Sequence, residues 1–244
     1  MFDGLVAKLV AENISHWQYR DTLLICADCL RVLPWIEAGS VDAVVTDPPY
    51  GIGYDSANSS QHGIQKFDVL EGDDRPFDVT PFLQFNDVLC WCLPQLTINV
   101  PVGIGAWYAW DKVMQNGLGV RISEYEYAWH KLASKTRGFR HLWSGAYRAS
   151  ESGIAAVHPT QKPIALMEWS LSRLEGTTIL DPFMGSGTTG VACVRTGRKF
   201  CGIEICEKYY EIAKRRILEA YADSALFDNL EPPPQQTELE YPPC

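Results

Sequence analysis

The chain alternates short apolar runs with amphipathic stretches, and the alternation is organised in two blocks. In the first, Leu23 to Cys26 is apolar, Leu30 to Ile36 has room for roughly two helical turns despite Pro34, and Val41 to Val45 is a second apolar run between turn formers. This reads strand, short helix, strand. In the second block, Thr178 to Leu180 predicts a strand, a glycine loop follows, and Thr188 to Arg195 predicts a helix ended by Gly197. "KFCGIEI" is the next strand, and Glu207 to Ala220 has the spacing of a long amphipathic helix. Runs that short and that apolar suit strands buried on both faces. Strands alternating with helices predict an α/β fold with a doubly wound, mostly parallel sheet.

Between the blocks, residues 95–117 and "EYEYAWHK" predict further strands. Residues 51–80 are polar and glycine-containing and predict a mobile loop placed to act as a lid. The C-terminal "DNLEPPPQQTELEYPPC" is acidic and proline-rich, so residues 219–244 are expected to be a disordered tail on a domain spanning 1–218.

Composition adds limits. The 244 residues are 46% hydrophobic and 21% charged, as in an ordinary globular protein. No long apolar run predicts a membrane span, and the N-terminus lacks the pattern of a signal peptide, so a cytoplasmic chain is expected. Cys26-Ala-Asp-Cys29 has a spacing used by zinc, but no second pair lies at a finger-like distance. The eight cysteines therefore read as reduced, mostly buried thiols, and no metal is expected. The net charge of −9 argues against nucleic acid until its distribution is considered. Residues 219–244 hold six acids and no Lys or Arg, whereas residues 131–148 hold five Lys or Arg and no acid. That basic segment, with Lys135, Arg137 and Arg140 among interleaved Phe139, His141, Trp143 and Tyr147, fits contact with phosphates and bases; it also reads as a solvated basic loop.

Two motifs carry the chemistry. "LDPFMGSGTTG", from Leu180 to Gly190, places glycines between a strand and a helix N-terminus, where nucleotide-like cofactors bind in such folds. No Lys follows Gly187, so it is not a phosphate-gripping Walker loop. Glu204 ends the next strand, where a carboxylate can accept ribose hydroxyls. The other motif is Asp47-Pro48-Pro49-Tyr50, at the end of the Val41–Val45 run. Two prolines fix an extended segment whose carbonyls no helix consumes. A carboxylate beside a free carbonyl makes an acceptor pair suited to an amino group, and Tyr50 adds a flat face. Taken alone, the block also reads as a rigid turn.

With "HPTQKP" from His158 to Pro163, these motifs resemble the S-adenosylmethionine-dependent amino-group DNA methyltransferases, in the β-group order. The resemblance covers most of residues 22–218, and "ADC" at 27–29 stands where the family has "GDC". It implies a Rossmann-like methyltransferase fold and S-adenosylmethionine as cofactor. It puts the cofactor at Asp28, Asp181, Phe183, Gly185, Ser186, Gly187, Thr188 and Glu204, with His158 and Lys162 at its methionine end. It implies that Asp47 and the Pro48 carbonyl hold the amine of a flipped-out base stacked on Tyr50, with residues 131–157 as a small target-recognition segment. In the family Asp-Pro-Pro-Tyr is commoner with adenine and Ser-Pro-Pro-Tyr with N4-cytosine, so N6-adenine is the expectation and N4-cytosine the alternative. Double-stranded DNA is the expected partner, a homodimer is an open expectation, and no membrane partner is expected. A non-catalytic DNA-binding protein and a dinucleotide-dependent oxidoreductase are the rival readings. Intact motifs weigh against the first, and the Asp47 block has no task in the second.

Overall fold

In the computed structural model, residues 2–53, 72–113, 123–144 and 147–228 are described. Five helices and thirteen strands are assigned among them. Helices are α1 (Asp3–Ala11), α2 (Cys29–Val32), α3 (Ile164–Leu171), α4 (Thr188–Arg195) and α5 (Glu207–Asp228). Strands are β1 (His16–Tyr19), β2 (Thr22–Cys26), β3 (Ala43–Thr46), β4 (Phe77–Asp78), β5 (Asp87–Trp91), β6 (Thr97–Ile98), β7 (Ala106–Asp111), β8 (Tyr125–His130), β9 (Arg137–Arg140), β10 (Trp143–Ser144), β11 (Tyr147–Arg148), β12 (Thr178–Asp181) and β13 (Lys199–Glu204).

Nine strands form one sheet in the order β1-β2-β13-β12-β3-β5-β8-β7-β9. The five from β2 to β5 are mutually parallel, as expected of double winding. Along them, successive side chains enter opposite layers. Leu24, Ala43 and Val45 join α3, α4 and α5 in one buried cluster, while Leu23, Ile25 and Val44 join α1 and α2 in another. Burial on both faces explains why these strands read as unbroken apolar runs. Beyond β5 the sheet turns antiparallel through β8. At the amino-terminal edge of β5, His130 Nε2 lies 3.0 Å from Asp87 Oδ1 and its Nδ1 lies 2.7 Å from the Tyr108 hydroxyl, which ties β8 to both neighbours.

Several boundaries differ from the expectation. Pro34 ends α2 after a single turn, and Leu33–Trp35 continues as a 3₁₀ turn. The last helix does not stop at Ala220; α5 runs to Asp228, so the first part of the expected tail is helical. Residues 229–244 lie outside the described residues. So do 54–71 of the expected 51–80 lid, while Phe77 and Asp78 of that stretch pair with Thr97 and Ile98. The 131–157 segment is not a plain loop, because β9 extends the main sheet beside β7.

Gly190 marks where α4 meets the sheet. A Cβ added there would stand 2.7 Å from Phe200 and closer still to Ile217. Gly190→Val is therefore expected to lower the unfolding free energy by about 1–3 kcal/mol, read from urea denaturation followed by circular dichroism.

Candidate functional site

The cleft lies at the carboxyl edge of the parallel strands, where α/β folds place ligands. It is open to solvent on one side and is lined by Asp47, His158, Thr160, Lys162, Asp181, Phe183, Gly185, Ser186 and Thr188, among others. β3 and β12 pair in register, Ala43 with Ile179 and Val44 with Leu180, so the two sequence motifs leave adjacent strands side by side. The Thr46 hydroxyl then donates to Asp181 Oδ1 at 2.7 Å, and the Phe183 N–H donates to the same oxygen at 3.1 Å. Burial pushes the Asp181 carboxyl up to about 6.

The glycine loop is shaped by its neighbours. Gly185 has φ +51°, and a Cβ there would sit 3.3 Å from His158 Nε2, filling the cleft wall. Gly187, at φ +79°, is the N-cap of α4 and packs so closely on α5 that a Cβ would lie 2.8 Å from that of Ala213. The positive φ disfavours a side chain at both places, and at Gly187 the close packing on Ala213 excludes one as well. From α5, Arg216 Nη1 donates to the Ser186 carbonyl at 2.6 Å, to Ser186 Oγ at 2.9 Å and to Thr188 Oγ1 at 3.2 Å. Glu204 accepts from the Gly185 N–H at 2.9 Å and the Cys206 N–H at 2.8 Å, and burial raises its carboxyl to about 7. Each carboxylate oxygen has a second lone pair left for a ligand hydroxyl. Asp28 is exposed and caps α2 through the Leu30 N–H at 2.8 Å. A cleft with a glycine cradle, a carboxylate beside the loop and Phe183 on its wall fits a nucleoside-type cofactor by the chemistry of its lining.

His158 is neutral: burial, with Lys162 and Arg216 nearby, lowers it to about 3. Its Nδ1 accepts from the Thr160 N–H at 3.3 Å, which assigns the ring proton to Nε2, facing Gly185.

Asp47 follows β3 and keeps 17% of its side chain exposed. Its Oδ1 accepts from the Tyr50 hydroxyl at 2.8 Å and its Oδ2 from Lys162 Nζ at 2.6 Å. Lys162 also reaches the Tyr50 oxygen at 3.2 Å and lies 5.2 Å from the Tyr50 ring centre. The resemblance puts Lys162 at the cofactor's methionine end; Lys162 lines the same cleft as the glycine loop, with its ammonium on Asp47. Glu126 of β8 sits 3.3 Å from the same ammonium, and its other oxygen accepts from Lys112 at 2.6 Å. Burial opposes the charge on Lys162, but Asp47 and Glu126 outweigh it and raise its pKa. Burial lifts the Asp47 carboxyl while Lys162 opposes that rise.

Sequence reasoning missed five supporting residues. Glu126 was inside a predicted strand, with nothing marking it as inward-facing. Glu151 accepts from the Ile164 N–H at 2.9 Å, and Gln161 accepts from the Val157 N–H at 3.0 Å, which together shape the "HPTQKP" segment. Arg216 looked like one more charge on an amphipathic helix. Asp73 accepts from the Gly51 and Ile52 N–H groups at 2.7 and 3.2 Å, and its carbonyl accepts from Gly53 N–H at 2.7 Å. It fixes the turn that carries Tyr50.

The basic segment was half legible. Lys135, Arg137 and Arg140 are exposed. Phe139, His141 and Trp143 are not a free stacking surface. Phe139 packs on Trp169 and stacks on His141, and Arg148 lies over Trp143 at 4.3 Å. Alternation along β9 reflects a strand with one face against the core.

Asp73→Ala leaves two backbone donors without their carboxylate. It is expected to lower the unfolding free energy by about 1–3 kcal/mol in chemical denaturation.

Three comparisons bear on identity. Residues 107–215 match the N6/N4 methyltransferase family, described as DNA methylase. The chain is 27% identical over 247 aligned positions to the type II methyltransferase M2.LlaDCHI of Lactococcus lactis, covering 83% of this chain and 91% of that one. Its fold is similar to that of M1.HpyAVI in complex with SAM, at 25% identity and a TM-score of 0.50, covering 80% of this chain and 99% of that one. It is also similar in fold to the cytosine-N4-specific PvuII DNA methyltransferase, at 17% identity and a TM-score of 0.51, covering 82% and 87%. The Asp-Pro-Pro-Tyr block and the glycine loop meet in one cleft, residues 107–215 match the N6/N4 DNA methylase model, and the chain is similar to S-adenosylmethionine-dependent amino-group DNA methyltransferases.

Proposed function

We propose that the protein methylates the exocyclic N6 amine of adenine, in a base flipped out of double-stranded DNA. The observation that carries this reading is the shared cleft: the Asp47 carboxylate and the glycine loop line the same cavity. An amine buried in a duplex cannot reach such a cleft, so the base must leave the stack.

Asp47 and the Pro48 carbonyl accept the two amine hydrogens. Held this way, the nitrogen lone pair is drawn out of conjugation with the ring. Tyr50 provides the stacking face, on a turn clamped by Asp73. The positive charge that grows on nitrogen is met by the Asp47 carboxylate in a largely water-free site, an electrostatic contribution of roughly 3–4 kcal/mol in comparable cases. S-adenosylmethionine, when bound, supplies the methyl group on a sulfonium that leaves as a neutral thioether. Glu204 accepts its ribose hydroxyls, and Phe183 and Gly185 to Thr188 form the wall behind it. His158, neutral with a proton on Nε2, donates a hydrogen bond there. Lys135, Arg137 and Arg140 contact phosphates. Adenine is preferred over cytosine because Asp, not Ser, opens the Asp-Pro-Pro-Tyr block, following the resemblance.

Incubation with isotope-labelled S-adenosylmethionine and unmethylated DNA, followed by digestion to nucleosides, is expected to place label in N6-methyladenine. Label in N4-methylcytosine moves the target to the alternative amine, and absence of label with retained DNA binding defeats both. In the same assay Asp47→Ala is expected to abolish transfer while affinity for S-adenosylhomocysteine persists.

The Glu204 carboxyl is raised to about 7, so it is protonated below that pH and an acceptor on both oxygens above it. Affinity for S-adenosylhomocysteine, measured by calorimetry, is expected to increase from pH 6 to pH 8 and then level off. Glu204→Gln is expected to weaken binding and remove this rise.

A further inference from the structure

Glu126 has no task in the mechanism above, yet it shares the ammonium that sits on Asp47. Both Asp47 oxygens are engaged, Oδ1 by Tyr50 and Oδ2 by Lys162. Each Asp47 oxygen keeps a second lone pair, but an amine that arrives at Oδ2 shares that oxygen with an ammonium. The ammonium is a poor neighbour for the reaction, since the amine nitrogen becomes cationic as it is methylated and like charges repel. Nor can the ammonium simply withdraw, because Lys162 is 8% exposed and an unpaired buried charge is costly.

A second berth is already built. Glu126 Oε2 lies 3.3 Å from Lys162 Nζ, is buried, and has no well-directed donor among the described residues. The other Glu126 oxygen is held by Lys112 at 2.6 Å, which keeps the carboxylate in place. The four side chains Asp47, Glu126, Lys112 and Lys162 carry balanced charge, so a small shift of one ammonium changes no net charge in the cleft.

We infer that Glu126 is a positioning residue that takes over the Lys162 ammonium when the target amine enters, freeing Asp47 Oδ2 for that amine. This rests on the reading of Asp47 as the amine acceptor. In the resting state Lys162 fills the amine position and keeps Asp47 paired. In the base-bound state Glu126 holds Lys162, and the Asp47 carboxylate faces the nitrogen alone. Asp47 is the catalytic residue; Glu126 acts through Lys162.

The test compares Glu126→Gln, Glu126→Asp, Lys162→Met and the double variant Glu126→Gln/Lys162→Met, with Asp47→Ala as reference, in the labelled-transfer assay and in calorimetry with S-adenosylhomocysteine. Glu126→Gln is expected to lower kcat by about tenfold or more. Its affinity for S-adenosylhomocysteine is expected to stay within about twofold of wild type. Glu126→Asp, which keeps the charge, is expected to recover part of the rate. The double variant is expected to be no slower than Lys162→Met, because without the ammonium there is nothing to hand over. Wild-type kcat in Glu126→Gln, or losses that multiply in the double variant, overturns the inference. A structure with S-adenosylhomocysteine and target DNA decides the matter even where a variant fails to fold. Lys162 Nζ hydrogen-bonded to Glu126 beside the flipped base supports the hand-off, and Lys162 Nζ still on Asp47 Oδ2 overturns it. Normal turnover by Asp47→Ala defeats the underlying reading instead, so the two failures are distinguishable.

Discussion

The parallel pairing of β3 with β12 is the constraint on which the site depends. Ala43 opposite Ile179 and Val44 opposite Leu180 place Asp47 and Asp181 at the same edge of the sheet, although 134 positions separate them in the sequence. Both strands are buried on both faces, so a slip of one residue would turn every side chain to the wrong layer. The hydrogen bond from Thr46 to Asp181 closes this pairing at its carboxyl end. An amine-binding turn and a cofactor loop thereby become two walls of one cleft.

What the cleft contains follows from low dielectric. Burial raises the carboxyls of Asp181 and Glu204 to about 6 and about 7 and lowers His158 to about 3. Charge survives inside only where it is paired, and the cluster of Asp47, Lys162, Glu126 and Lys112 is paired throughout. Such a cluster adds little net stability compared with apolar packing, because desolvation offsets attraction. Its value lies in direction. Each group fixes the orientation of the next, from Lys112 on β7's carboxyl end to Tyr50 on the turn held by Asp73. Three parts of the chain far apart in sequence thus set the position of one carboxylate.

The sequence was most legible where one physical demand dominates. The short apolar runs could only be strands covered on both sides, and the glycines at 185 and 187 could only serve a tight strand-to-helix turn. It was least legible where a residue's meaning depends on what faces it. β5 was not anticipated, since "DVLCW" is too short to show a period. The basic residues 131–148 looked like an interleaved contact surface, but Phe139 and Trp143 are engaged internally while Arg137 and Arg140 point outward. Asp73, Glu126, Glu151 and Arg216 carry no motif, because a charged residue is ordinarily solvated whatever element it lies on.

The sequence by itself determined the chemistry available: an acceptor carboxylate on a proline-stiffened turn, an aromatic face, and a glycine loop with an acid one strand later. Those properties are local, set by covalent structure and by spacing along a single element. Only the tertiary structure decided which partner each group has. It put Lys162 on Asp47, turned Glu126 inward, and engaged Glu204 with the N–H groups of Gly185 and Cys206. The physical reason is that hydrogen bonds and charge pairs reach only about 3–4 Å. At that range the fold, and not the order of residues, chooses the neighbours.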